Sequence, residues 1–225
     1  MTVRQFRILV VLTVVSGFLG GAACNLSLRG APTAAQTTGG HVQDVVAAKM
    51  FVLVDDAGKA RGGLAVTEGS PGLVLANSAG EPRASLRVAP DGGPLLTLCD
   101  AAGKSKVDLM VLPGGSPSLG LWDAAGKERA CLGLSADGGA GLDLYDAAGK
   151  KRTALCILPN GHPVLVLCDA AGKGRADLAL GGDGSPDLGF YDAAEIGRAD
   201  LRLSPDGSPG LGLFKANGDV LWRAP

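Results

Sequence analysis

The residues with the most obvious chemical promise sit at Gly103-Lys104-Ser105, which reads like the tail of a phosphate-binding loop. Such a loop needs a glycine five residues before Gly103, and Leu98 stands there. The stretch recurs as "LCDAAGK", "LWDAAGK" and "LYDAAGK", and the residues after the lysine change to Glu128, Lys151 and Gly174. A turn therefore explains the pattern better than a nucleotide site. "GGDGSPD" from Gly181 resembles half of a calcium-binding nonapeptide, but it occurs once and the chain has no nine-residue period. The two histidines, His41 and His162, stand far apart in the chain, and His162 takes a turn position filled elsewhere by Gly or Ser. No nucleophile, base and orienter set is visible, so the sequence points away from an enzyme and implies no metal or cofactor.

The cysteines form no disulfide framework. Cys99 and Cys168 are 69 residues apart, whereas Cys131 and Cys156 lie in adjacent copies of a repeat and could approach each other. One column of side chains keeps a binding hypothesis open. Trp122, Tyr145, Tyr191 and Phe214 follow one another at repeat spacing, and Trp122, Tyr191 and Phe214 each stand two residues after a glycine. They could stack on a glycan, pack against another protein subunit, or cover their own sheet over those glycines.

These residues must be positioned by a repeat. Turn glycines recur at Gly58, Gly80, Gly103, Gly126, Gly149 and Gly172, with steps of 22 and then 23. A second series, Gly69 to Gly207, steps by 23 throughout. Between the turns, leucines alternate with other residues at period two, as in "RADLAL" and "DLGFYD". That periodicity marks strands, not helices. The expected fold is all-β: about sixteen short strands from seven to eight 23-residue strand-turn-strand-turn units, as wound or stacked hairpins. A β-solenoid and a β-propeller are the alternatives.

Register is the difficulty. A three-residue loop at Pro205-Asp206-Gly207 sets Leu201 opposite Leu211, but the same loop at Ala147-Ala148-Gly149 sets Leu144 opposite Arg152. The second turn must then have an even loop or carry the chain to another layer. It also places Lys150 across from Asp146 as a modest surface pair. The missing turn glycine at Glu195 predicts the weakest turn of the series, and "DVLWRAP" reads as a terminal cap.

Arg4 and Arg7 precede an apolar run ending in small residues at Ala22 and Ala23, the layout of an export signal. Residues 1–23 are read as a signal peptide or membrane anchor, 24–50 as a flexible linker, and 51–225 as the β-repeat domain. Cys24 is a candidate lipidation site, although Gly21 stands where a lipobox usually has leucine. Each outcome places the repeat outside the cytoplasm, secreted or tethered to the envelope, with the N-terminal segment as its membrane contact. A net charge of -1 argues against nucleic acid as a partner.

"YDAAGK" at Tyr145, Tyr191-Asp192 and the recurring Gly-Lys and Asp-Gly turns look like YD/RHS-type repeats of secreted bacterial proteins. That resemblance implies wound β-hairpins. It transfers no functional residue, since the period here is longer and most copies lack the tyrosine. The expected role is an exported structural scaffold or adhesive spacer, with a carbohydrate-binding module as the rival.

Overall fold

The computed structural model describes residues 47–224. The signal and lipidation readings lie outside them, as do residues 24–46 of the 24–50 linker reading; Met50 at its end already belongs to a strand. Within each of the two compact units described below, strand order follows chain order and the pairings are antiparallel. This is the hairpin architecture expected from the alternation. A solenoid would stack copies in parallel, and a propeller would break the order into blades.

The chain divides into two compact units, residues 1–82 and 83–225. The described part of the first holds β1 (Met50–Val54), β2 (Ala60–Thr67) and β3 (Ser70–Ala76). Its β2–β3 turn is a two-residue loop, with Glu68 at φ 52° and Gly69 at φ 80°. Positive φ at both central residues makes it a type I′ hairpin turn. Corresponding loops further on have three residues, which is why the first glycine step is 22 and the rest 23.

The second unit is a meander of β4 (Pro82–Val88), β5 (Pro94–Cys99), β6 (Ser105–Val111), β7 (Pro117–Trp122), β8 (Glu128–Leu134) and β9 (Ala140–Tyr145). It continues through β10 (Lys151–Ile157), β11 (Pro163–Cys168), β12 (Gly174–Leu180) and β13 (Pro186–Tyr191). It ends with β14 (Gly197–Leu203), β15 (Pro209–Phe214) and β16 (Val220–Ala224). Val220–Ala224 of the "DVLWRAP" segment is thus the last strand, paired to β15.

A β-bulge resolves the register problem. Across the Asp146–Lys150 turn, Tyr145 pairs with Lys151 as a three-residue loop requires, but Leu144 then pairs with Thr153. Arg152 is the extra residue. It adds one position to β10 and brings Leu142 opposite Leu155. The same skip falls at Lys106, Arg129, Arg175 and Arg198. Neither an even loop nor a change of layer is involved, and the leucines stay on one face across both kinds of turn.

In the second unit that face carries Leu86, Leu109, Leu132, Leu155, Leu178 and Leu201, each about half exposed (Leu155 52%). The opposite face carries Thr97, Asp108 and Ala154, which are buried. No side chain among the described residues is fully buried. Neighbouring repeats of the second unit meet edge to edge: hairpins pair through backbone hydrogen bonds, and no second layer covers the leucines.

Candidate functional site

Each Asp turn is built the same way. In Asp169–Lys173 the Gly172 N–H donates to the Asp169 carbonyl at 2.9 Å, and the Asp169 N–H donates to the Lys173 carbonyl at 2.9 Å. Gly172 takes φ 82°, the left-handed position that closes a three-residue loop. The Asp169 carboxylate accepts from the N–H groups of Ala171 (2.8 Å) and Lys173 (3.1 Å) through Oδ1. Its Oδ2 faces the bulge cation, Arg175, at 3.4 Å. Aspartate suits the corner because one oxygen caps the loop while the other holds a charge.

The pair expected across this turn, Lys150 with Asp146, is therefore replaced. Lys150 gives Asp146 only its backbone N–H (3.0 Å), and the ion pair goes to Arg152 at 3.8 Å. The bulge tilts the arginine back over the corner, which an unbulged lysine cannot reach. Equivalent pairs join Lys106 to Asp100 (3.1 Å), Arg129 to Asp123 (3.5 Å) and Arg198 to Asp192 (3.3 Å).

The same cations reach the next hairpin. Arg129 Nε donates to the Tyr145 carbonyl, Arg175 Nε to Tyr191 and Arg198 Nε to Phe214, each at 2.9 Å. Turn lysines do likewise: Lys104 Nζ reaches the Ala124 carbonyl at 2.8 Å, Lys127 that of Ala147 at 2.6 Å, and Lys173 that of Ala193 at 3.0 Å. The Arg and Asp columns are thus interleaved, which relieves the like-charge stacking a repeat would otherwise impose. Backbone N–H donors, the one from the residue four on foremost, hold the carboxyls of Asp100, Asp123, Asp146, Asp169 and Asp192 below their ordinary value.

The aromatic column lies on the face opposite the leucines, half-buried over its own sheet. A Cβ added at Gly189 would stand 2.8 Å from the Tyr191 hydroxyl, and one at Gly212 would stand 2.7 Å from the Phe214 ring. At Gly120 it would meet the Trp122 indole nitrogen at 3.1 Å. Each ring folds back over the glycine two residues before it, as the volume pattern suggested. Tyr191 donates to Asp177 Oδ2 at 3.0 Å and Tyr145 to Asp143 Oδ2 at 3.3 Å. Partial burial first, and the neighbouring carboxylate with it, push both phenols up to about 12.

The remaining candidates are held by their own sheet. Ser105 donates to Asp108 Oδ1 at 2.8 Å, and Thr97 donates to the same oxygen at 2.9 Å. Gly103-Lys104-Ser105 is thus a hairpin corner whose lysine ties to the next corner at Ala124 and whose serine bonds Asp108 within its own strand. In "GGDGSPD", Gly184 takes φ 82° and Asp183 Oδ1 accepts the Ser185 N–H at 2.9 Å. His162 lies over Gly182 of the following turn, 3.1 Å from where a Cβ would be. Among the described residues no group of three His, Cys, Asp or Glu side chains could hold a metal.

Cys131 pairs with Asp143 and Cys156 with Gly141, so β9 separates the two cysteines. Two strand spacings, about 9.6 Å, exceed the reach of a disulfide, and both thiols are free. Sequence reasoning missed the bulge cations as structural ties. The signal was present: an Arg or Lys stands six residues after Asp55, Asp100, Asp123, Asp146, Asp169 and Asp192.

No protein-family model matches the chain, and comparison with curated proteins finds no match. Among solved structures, the Drosophila melanogaster SAS-4 (dCPAP) TCP domain, in complex with a proline-rich motif of Ana2, is similar at TM-score 0.42 and 10% identity, covering 76% of this chain and 96% of that one. The Danio rerio CPAP TCP10 domain, in complex with a STIL peptide, is similar at TM-score 0.20 and 15% identity, covering 78% and 98%. Likeness at this level carries no functional argument.

Proposed function

We propose that the chain is an exported, envelope-associated structural scaffold, an adhesive spacer without catalytic activity. One observation carries this reading. The charged side chains that could do chemistry are engaged, copy after copy, in tying one hairpin corner to the next. Repetition of one structural tie suits a protein whose product is length and surface. The export-like layout of residues 4–23 and the likeness of the turns to YD/RHS-type repeats of secreted proteins support the location.

The test is protease shaving of intact cells together with a glycan array. The reading expects the repeat to be cleaved from outside and no glycan to bind. A repeat protected until lysis contradicts export. Glycan binding abolished by Trp122→Ala and Tyr145→Ala replaces the scaffold with the carbohydrate-binding reading. For the tether, fractionation of Cys24→Ala decides: loss from the membrane fraction supports lipidation, and unchanged partitioning excludes it.

A further inference from the structure

The leucine face of the second unit holds Ala, Val, Thr, Leu, Ile, Pro and Phe, with Trp222 at its end, and no charged side chain. Charged residues of these strands, such as Asp108, Asp177 and Arg202, pair across the other face or sit at the bulges. Thirteen strands about 4.8 Å apart, each presenting roughly 13 Å of apolar chain, give roughly 750 Å² of uncharged sheet. An ordinary monomer's largest apolar patch is about 300–600 Å².

We propose that this face is covered by the same face of a second copy, making a two-layered sandwich from two single layers. Two such faces bury roughly 1,500 Å² together, within the range of about 1,200–2,000 Å² for stable specific interfaces. The occupant must be uncharged, as long as the sheet, and ridged every second strand. A second copy meets all three conditions because it has the same 23-residue period. Two-fold symmetry makes the contact self-complementary. Layers about 10 Å apart interdigitate leucines as in a β-sandwich. Full overlap places the axis over the middle strand, β10, so Leu155 meets Leu155 of the second copy. A lipid surface fits less well: one turn row sets cations beside its aspartates, as at Asp169, Lys173 and Arg175, but the other carries Asp91, Asp137, Asp183 and Asp206 with no Lys or Arg, so one rim of the face is acidic.

This deepens the scaffold reading and rests on its fold, not on export, so the shaving experiment and the following one fail independently. Sedimentation equilibrium of the full chain should give twice the chain mass. Leu155→Lys and Leu155→Glu should each halve that mass with an unchanged β-sheet circular dichroism spectrum, and an equimolar mixture should restore it. The unmutated protein gives a second reading: carbene footprinting on dilution should raise labelling of the leucine columns while leaving Tyr145 and Tyr191 unchanged. A single-chain mass at about 0.1 mM, where any interface tighter than the millimolar class is populated, would overturn the proposal. So would an assembly indifferent to both substitutions, dilution-independent labelling, or single chains floating with neutral lipid vesicles.

Discussion

Glu195 occupies the corner where other copies have glycine, and it takes the glycine's conformation, φ 61°. Its N–H donates to the Asp192 carbonyl at 2.9 Å, so the loop is not rebuilt around Gly197. Left-handed backbone costs an L-residue about 1–2 kcal/mol. The extra freedom of glycine in the unfolded chain returns about 0.4–1 kcal/mol of any gain. Glu195 Oε1 also accepts the Gly174 N–H at 3.3 Å, a long exposed bond at the weak end, worth about 0.5 kcal/mol. Glu195→Gly therefore stabilises only slightly, because the lost bond offsets much of the relief.

Comparing Glu195→Gly with Glu195→Ala removes that complication, since both lack the bond and only alanine keeps the strain. The glycine variant should be the more stable by about 1 kcal/mol. Native-state hydrogen exchange at the amides of residues 192 and 195 reads this locally, as a roughly fivefold difference in opening. Wild type should fall between the two variants. Equal protection in both would refute the reasoning and relocate the loop to Gly197.

Tyr145 and Tyr191 are the only tyrosines, and both phenols are raised to about 12. Absorbance titration of the native sheet should therefore show ionisation near pH 12, and a midpoint near 10 would show that the rings leave their carboxylates. A raised folded pKa means their contribution is full below about pH 10 and disappears as pH rises through 12. Arg175→Met removes the hydrogen bond to Tyr191 and the ion pair to Asp169. The hydrogen bond alone is worth about 1 kcal/mol, so faster exchange should appear at both the Asp169 and Asp192 turns. Asp169 has a depressed folded pKa, so its contribution is present above its ordinary 3.8 and disappears as pH falls through the lower folded value. The wild-type advantage over Arg175→Met should shrink in that acid window, and an advantage independent of pH would exclude the ion pair.

Strands and hairpins were legible because columns such as Leu109, Leu132 and Leu155 alternate without interruption. The folding of aromatic rings over Gly120, Gly189 and Gly212 was legible as volume compensation. The bulge was visible only as a contradiction: counting across Asp146–Lys150 put Leu144 opposite Arg152, and one extra residue was the missing term. Placement of Cys131 and Cys156 needed the register, because adjacent copies still have a strand between them. The number of layers was not legible, since a period-two pattern reports which face is apolar and not what lies against it.

The central claim is that one bulge per repeat keeps the leucine columns of the second unit on a single open face. Cysteine scanning tests it most directly, in a background with the native cysteines replaced, through β9, the Asp146–Lys150 turn, β10 and β11. In the dilute single chain, a bulky thiol reagent should label positions 142 and 144, then 153, 155 and 157, then 165 and 167 faster than the intervening positions on the strands. Concentrating the protein should protect that set alone. Alternation that changes phase across residues 146–150, placing 142 and 155 on opposite faces, would contradict the account.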